Sequence, residues 1–255
     1  MLTKRWVLGA TAAAAAMLLS GCGTMTDVKT VANDPDAHFN YAFAPEKMSP
    51  KVLAQVPHNQ SPLGFRKLTI KMQASSEESD GKKDSWVNLF TMEPFGNGEL
   101  VKLKREQSSN GIPYSVFFSI SYRGLQDLRS QSVPLQGGYV GTIYDVKELK
   151  SLGVLPTAEG QSFLADFSAG PEVQLFNFID YQRKCKATKV VPGSDYHKDL
   201  PGMVTELECE NFRDGALQYR SKWIVMQAFG VALSTESVGT TAKNMYKILE
   251  VSAQR

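Results

Sequence analysis

The sequence predicts a mainly β protein: an antiparallel sheet system, folded as a sandwich or as a curled, partly closed barrel, with one or two short helices. Three observations support this. Apolar and polar residues alternate with period two in many segments, turn-forming residues separate these segments, and patterns with the period of a helix are scarce. Because few helical crossovers are expected, neighbouring strands should pair antiparallel.

The first strand shows the alternation clearly. Leu68, Ile70 and Met72 point to one side and the residues between them are polar, as in a half-buried strand. Asn110-Gly111 is typical of a tight turn between two later strands. Further strands are expected over residues 85–92, 99–106, 114–123, 136–143, 172–179, 181–191, 203–212, 217–227, 230–237 and 243–252.

Residues 145–152 match a helix. Asp145 is placed as its N-cap, Glu148 follows three residues later as in a capping box, and Gly153 and Pro156 mark its end. A shorter helix is expected over residues 160–167.

Three regions are expected along the chain: a signal peptide at residues 1–21, a lipidated N-terminus and tether at 22–63, and a single β-rich domain at 64–255. The second region is poor in aliphatic runs and rich in proline, which is typical of a flexible tether. Its aromatic stretch, residues 38–43, has two interpretations: a short strand docked on the edge of the domain, or a partner-binding segment. Docking on its own domain is favoured.

The first 22 residues follow the pattern of an export signal. Lys4 and Arg5 precede an uncharged run over residues 6–19, which is shorter than the roughly 20 apolar residues of a spanning helix. The tetrapeptide Leu-Ser-Gly-Cys that ends at Cys22 resembles the lipobox of bacterial lipoproteins. An ordinary secretory signal with an incidental thiol is the alternative. It is disfavoured because one of only three cysteines stands where a lipobox requires it.

The resemblance implies that the chain is cut before Cys22. It also implies that this cysteine then carries palmitate-type acyl chains, two on the thiol and one on the new amino group. Several acyl chains hold a protein durably on a membrane. In the sorting rule of enterobacterial lipoproteins, Asp after the cysteine favours the inner membrane. Gly23 stands there, so the resemblance implies the outer membrane, with the domain facing the periplasm.

Charge excludes one class of partner. The precursor has 28 basic residues, two of which, Lys4 and Arg5, lie in the signal; the remainder equals the 26 acidic residues. A nucleic-acid-binding domain is expected to show a basic excess or stripe. The anchored chain is therefore expected to bind no nucleic acid.

Cys185 and Cys209 remain after Cys22 is used. An even pair in an exported protein predicts a disulfide. The two cysteines lie in neighbouring predicted strands joined by a turn-rich stretch, so folding back would bring them together. A redox-active pair is less favoured because such pairs are usually two residues apart, and a metal site is less favoured because four ligands are not visible.

A catalytic set is not recognisable in the sequence. His38, His58 and His197 all fall in the predicted tether or in turns, and no Gly-x-Ser-x-Gly elbow singles out a serine. Glu206, Glu208 and Glu210 would share one face of a strand. We interpret that face as the solvent-exposed side of the strand, opposite lysines such as Lys184 and Lys186. A cation site or an acid–base pair is the alternative.

The sequence therefore predicts a protein that is not an enzyme and needs no cofactor or metal. The favoured function is binding or scaffolding of an envelope protein, cell-wall or lipid partner by a lipid-anchored domain. Two alternatives remain: a carrier of a lipid or other amphiphile in an apolar β-cavity, and a hydrolase with an unrecognised site.

Overall fold

The fold comes from a computed structural model that describes residues 27–255 except residues 59 and 97. The predicted signal peptide and Cys22 lie outside the described residues.

The described chain forms twelve strands in one closed antiparallel barrel, in which each strand pairs with its neighbours in sequence and the first pairs with the last. The mainly β, antiparallel prediction is confirmed, and the sheet closes fully. The strands are β1 Lys67–Glu78, β2 Lys83–Phe95, β3 Leu100–Ser109, β4 Ile112–Tyr122, β5 Gln126–Pro134, β6 Tyr144–Leu152, β7 Ser162–Pro171, β8 Ile179–Pro192, β9 Met203–Arg213, β10 Ala216–Met226, β11 Val231–Val238 and β12 Ala242–Gln254.

Local sequence explains the regular parts of the barrel. In β1 the alternation predicted from the sequence is observed: Leu68, Ile70 and Met72 are fully buried while the residues between them are partly exposed. Asn110 and Gly111 both have positive φ in the β3–β4 turn, as a type I′ hairpin requires. Alternating burial in the strands and positive φ in the turn therefore both favour antiparallel strands in this part of the barrel.

The barrel has two ends and two narrow seams. We call the end with the β1–β2, β3–β4, β5–β6, β7–β8, β9–β10 and β11–β12 connections the upper end, and the other end the lower end. β5 and β6 share only two residue pairs, and β11 and β12 share three. Side chains must fill the gaps beside these seams, because the backbone ladder there is short.

The core consists of two apolar clusters. One lies around Leu68, Ile70 and Met92, and the other around Phe118 and Phe163. The β10–β11 hairpin contributes to both, because its two faces are buried: Val225 and Ala232 belong to the second cluster, while Ile224, Met226, Val231 and Leu233 belong to the first.

The region before the barrel is not a free tether over its described part. It forms the helices α1 Val28–Asn33, α2 Pro35–Ala42 and α3 Pro50–Leu53. The aromatic stretch docks on the chain's own barrel, as favoured, but as helix α2. Phe39 and Phe43 pack against Phe118 of β4, with ring centroids 5.0 and 6.0 Å away. Pro35 and Pro50, two of the prolines that suggested flexibility, instead begin helices α2 and α3, where proline is well tolerated.

The two helices predicted at 145–152 and 160–167 are wrong, because these segments are strands β6 and β7. In β6, Lys147 and Lys150 are extra residues without a partner in β7, so the register with β7 shifts at each of them. These two bulges leave Val146, Leu149 and Leu152 in the same cluster, although they are three residues apart. A doubly bulged strand thus reproduces the spacing of a helix.

Two predicted strands are also wrong. Residues 136–143 form most of the β5–β6 connection and residues 172–178 form the β7–β8 connection. The strand β5, Gln126–Pro134, was not predicted. Its register shifts near Leu128 and its buried face carries polar residues, so it lacks the alternation that identifies a strand in sequence.

Candidate functional site

The predicted disulfide is present. Cys185 of β8 lies directly opposite Cys209 of β9, with the two sulfur atoms 2.02 Å apart. Both residues are buried, and Phe163 of β7 lies opposite Cys185 on its other side. The disulfide therefore joins two strands in the middle of the β7–β11 sheet.

The acidic stripe on β9 faces lysines, as interpreted from sequence. Lys184 pairs in register with Glu210, and Lys186 with Glu208. Further ion pairs join Arg220 to Glu210 at 3.2 Å, Lys222 to Glu236 at 3.3 Å and Lys189 to Glu206 at 3.1 Å. The stripe therefore belongs to a wider mixed-charge surface.

This mixed-charge surface forms an open groove across β7 to β11, which we call the charged groove. Its volume is about 920 Å³. Positive and negative side chains border it, and Leu164 and Val238 add apolar contact area. The full lining is Gly153, Ser162, Phe163, Leu164, Lys184, Cys185, Lys186, Glu208, Cys209, Glu210, Arg220, Ser221, Lys222, Glu236 and Val238.

Ionisation in and beside the groove is fixed by neighbouring groups. Burial opposes ionisation of Glu236, but hydrogen bonds from Lys243 and Lys222 hold the pKa of its carboxyl below the usual value. Burial and the hydrogen bond to Glu206 raise the pKa of Tyr196. Both groups therefore keep one charge state, Glu236 negative and Tyr196 neutral, across the physiological range.

The three histidines lie in separate parts of the chain. His38 of α2 hydrogen-bonds through Nε2 to Gln131 at 2.7 Å, and His197 Nδ1 accepts the backbone N–H of Asp199 at 3.2 Å. His58 is exposed in the segment before β1. Within the described residues, no group of three or more His, Cys, Asp and Glu side chains is placed to hold a metal ion.

A buried polar cluster that the sequence did not reveal lies in the barrel. Ser119 Oγ donates to Asp127 at 2.5 Å, and burial raises the pKa of the Asp127 carboxyl. Arg183 bonds Asn211 at 2.8 Å and the backbone oxygen of Leu125. These groups hold the β4–β5 hairpin against β8, so we assign them a structural role.

The β7–β8 connection, residues 172–178, displays apolar side chains to solvent. Val173, Leu175 and Phe176 are 84%, 82% and 72% exposed. Tyr139 of the neighbouring β5–β6 connection is 83% exposed. We call these four residues the apolar rim. Val173 and Leu175 are two residues apart, as in a strand, but adjacent Leu175 and Phe176 are both exposed.

The connection that carries most of the rim is internally bonded. The side chain of Gln174 donates to the backbone oxygens of Phe176 and Asn177 at 2.8 and 2.7 Å. Its backbone N–H bonds to Pro171, and the N–H of Glu172 bonds to Ile143. The polar residues of the loop thus fold it, which leaves its apolar residues free to contact something else.

Arg129 joins this loop to the N-terminal helices. Its buried guanidinium donates to the backbone oxygen of Ala42, to Asp145 and to Glu172, at 2.9, 2.6 and 2.7 Å. One side chain therefore fixes α2, β6 and the base of the apolar loop relative to one another.

Among the described residues, no helix is both long enough and apolar enough to cross a membrane. Comparison with protein-family models, curated proteins and solved structures gave no match. The function must therefore be argued from the residues of this chain.

Proposed function

We propose that this protein is a lipid-anchored lipoprotein of the bacterial cell envelope, with a non-catalytic barrel that binds another envelope component in the charged groove. The anchor is Cys22, and the expected site is the periplasmic face of the outer membrane. We infer the binding role from the groove.

The groove has the size and the construction of a binding site. A volume of about 920 Å³ is within the roughly 300–1,000 Å³ common for ligand sites. Strand pairing and the Cys185–Cys209 disulfide fix its floor before any partner arrives, which lowers the ordering cost of binding.

The charges of the groove favour an extended peptide that carries both acidic and basic side chains. Lys184, Lys186 and Arg220 lie beside Glu208 and Glu210, so a partner chain of alternating charge would find complementary groups along its length. The charged side chains that border the groove therefore favour binding of an envelope peptide segment over carriage of an amphiphile.

The anchor is tested by labelling with a palmitate analogue in the bacterial envelope. Wild type should incorporate the label and sediment with membranes, whereas Cys22→Ala should do neither. A Cys185→Ala/Cys209→Ala variant is the matched control: it lacks both other cysteines and should still be labelled. Equal labelling of the Cys22→Ala protein would refute lipidation at this residue.

The groove is tested by placing a photo-crosslinking residue at Val238, which is 40% exposed in the groove. Leu249 of β12, 37% exposed and outside the groove lining, is the control. Crosslinking in cells should give a discrete adduct from position 238 alone. Charge reversal by Lys184→Glu/Lys186→Glu should weaken it. The same adduct pattern from both positions would contradict a specific site.

A further inference from the structure

Val173, Leu175 and Phe176 lie at the upper end, and Tyr139 is exposed on the β5–β6 connection at the same end. No charged residue occurs between Glu172 and Ile179. Apolar side chains exposed together in this way, on an internally bonded loop, mark a contact surface.

The described N-terminus lies at the same end. α2 descends along the barrel: Asp36 bonds Lys104 and Asn40 bonds Lys102, and β3 itself begins at the lower end. Farther along the chain, Gln60 reaches Tyr122 at the bottom of β4. From Asp36 onwards the chain therefore runs downwards along the barrel before it enters β1.

The contacts with β5, two strands from β3, give the same direction. His38 bonds Gln131 and Ala42 bonds Arg129, so increasing residue number again follows β5 towards its lower end. Gln131 also donates to Gly141 in the β5–β6 connection, at 2.6 Å. Since α1 precedes these contacts and also packs on β5, we place it towards the upper rim.

Covalent reach then limits where the acyl chains can be. Cys22 precedes Asp27 by five residues, and a chain that long spans at most about 17 Å in any conformation. The 11-residue strand β4 is roughly 35 Å long. The anchor can therefore place the bilayer against the upper end but is too short to bring it past the lower end of an upright barrel.

We propose that the apolar rim docks on the lipid bilayer that holds the Cys22 acyl chains, with Val173, Leu175 and Phe176 entering the interfacial layer. This inference rests on the proposed lipid anchor. Residues 173–178 carry no charge, so their entry avoids desolvation of an ion, and their apolar groups gain burial in lipid. Acyl chains and rim form two contacts at one end, so the barrel stands upright and presents the charged groove sideways to the periplasm.

Docking is tested with Phe176→Trp in the full acylated protein, reconstituted in vesicles of phosphatidylethanolamine and phosphatidylglycerol. The emission of this tryptophan should shift to the blue, and lipids brominated on the acyl chain should quench it. Val154→Trp is the matched control, because Val154 is 57% exposed on the β6–β7 connection at the lower end. Its emission should not respond to the brominated lipid.

The outcomes separate the two proposals. If the protein carries no acyl group and leaves the vesicles, the anchor fails. If the Phe176→Trp protein is acylated and vesicle-bound but its new tryptophan shows neither shift nor quenching, docking fails and the anchor stands; that result would assign the rim to a protein partner. Equal quenching of the tryptophans introduced by Phe176→Trp and Val154→Trp would also overturn upright docking.

A second measurement isolates the rim from the anchor. The non-acylated mature chain, exported behind an ordinary cleavable signal, should bind these vesicles weakly. Leu175→Ser/Phe176→Ser should reduce this binding about tenfold or more, because two large apolar groups no longer enter the interface. Val154→Ser should leave it unchanged. Equal binding by wild type and the double variant would overturn the proposal.

Discussion

The connections at the two ends of the barrel differ in whether their side chains are buried or exposed to solvent. At the lower end, Arg123 is buried and donates to Glu99, Gly230 and Ser61, and the buried rings of Phe65 and Phe229 pack edge to face. At the upper end, apolar side chains of comparable size lie in solvent. The lower end therefore contributes to stability, while the upper end keeps its apolar surface available for contact.

The largest expected effect is at the lower end. Arg123→Ala leaves the Glu99 carboxylate buried without its cation, so the free energy of unfolding should fall by about 3–5 kcal/mol. Urea unfolding of the non-acylated mature chain measures this. Lys67→Ala breaks the exposed 3.6 Å pair with Glu93 and should cost less than about 1 kcal/mol. Similar losses for both variants would contradict the role of burial.

Arg129→Ala should have the next largest effect, about 2–3 kcal/mol, because it leaves the oxygen of Ala42 and two carboxylates without their donor. Arg129 links α2 to residues 172–178, so its removal should loosen both segments. Hydrogen exchange should accelerate in α2 and in residues 172–178 while the lower end stays protected. Lys71→Ala, which removes an exposed pair with Glu250, is the control. Uniform acceleration would refute local coupling.

A smaller effect depends on pH. Burial raises the pKa of Tyr122 to about 12, so the folded chain keeps this proton after the unfolded chain has lost it near pH 10. Stability should therefore fall as pH rises from about 10 to 12. In Tyr122→Phe, the decrease in the free energy of unfolding over this pH range should be smaller by about 1–2 kcal/mol.

Tyr139→Phe at the upper end is the matched control for this pH effect. The Tyr139 side chain is 83% exposed, so its hydroxyl meets water in both the folded and the unfolded chain. The alkaline profile of this variant should follow that of wild type. A Tyr122→Phe profile parallel to wild type would show that burial of this hydroxyl is not linked to folding.

The smallest effect on stability should come from the rim itself. Leu175→Ser/Phe176→Ser replaces side chains that already lie in solvent, so the free energy of unfolding should change by less than about 0.5 kcal/mol. Thermal unfolding in the absence of lipid checks this. A large loss would mean that the rim packs within the barrel and is not a free surface.

The sequence was most informative where local pattern and burial agree. The strands around Leu68, the hairpin at Asn110-Gly111 and the pairing of Cys185 with Cys209 were all predictable from alternation, turn residues and spacing. The charged face of β9 was also recognised, but its extension across five strands was not. A groove is made by side chains from distant parts of the chain, which local pattern does not bring together.

The wrong assignments have specific causes. Asp145, Glu148 and Gly153 match the caps of a helix, but residues 145–152 pair with β7 as a strand that has bulges at Lys147 and Lys150. The proline-rich segment instead packs against Phe118 of β4, which is distant in sequence. Val173 and Leu175 are spaced as in a strand, yet local hydrogen bonds of Gln174 and the bond from Glu172 to Ile143 fold residues 172–178 as a loop. For β6 and the N-terminal segment, contacts with residues distant in sequence override the local preference.

By itself, the sequence determined the mainly β class, the disulfide and the expectation of a lipid on Cys22, because each depends on residues close together or on a simple period. Only the tertiary structure decided that the sheet closes, that the N-terminal segment descends along its outer wall, and that Val173, Leu175 and Phe176 stay outside. The physical reason is that burial is a property of the assembled barrel: whether an apolar side chain is covered depends on neighbours that are distant in sequence.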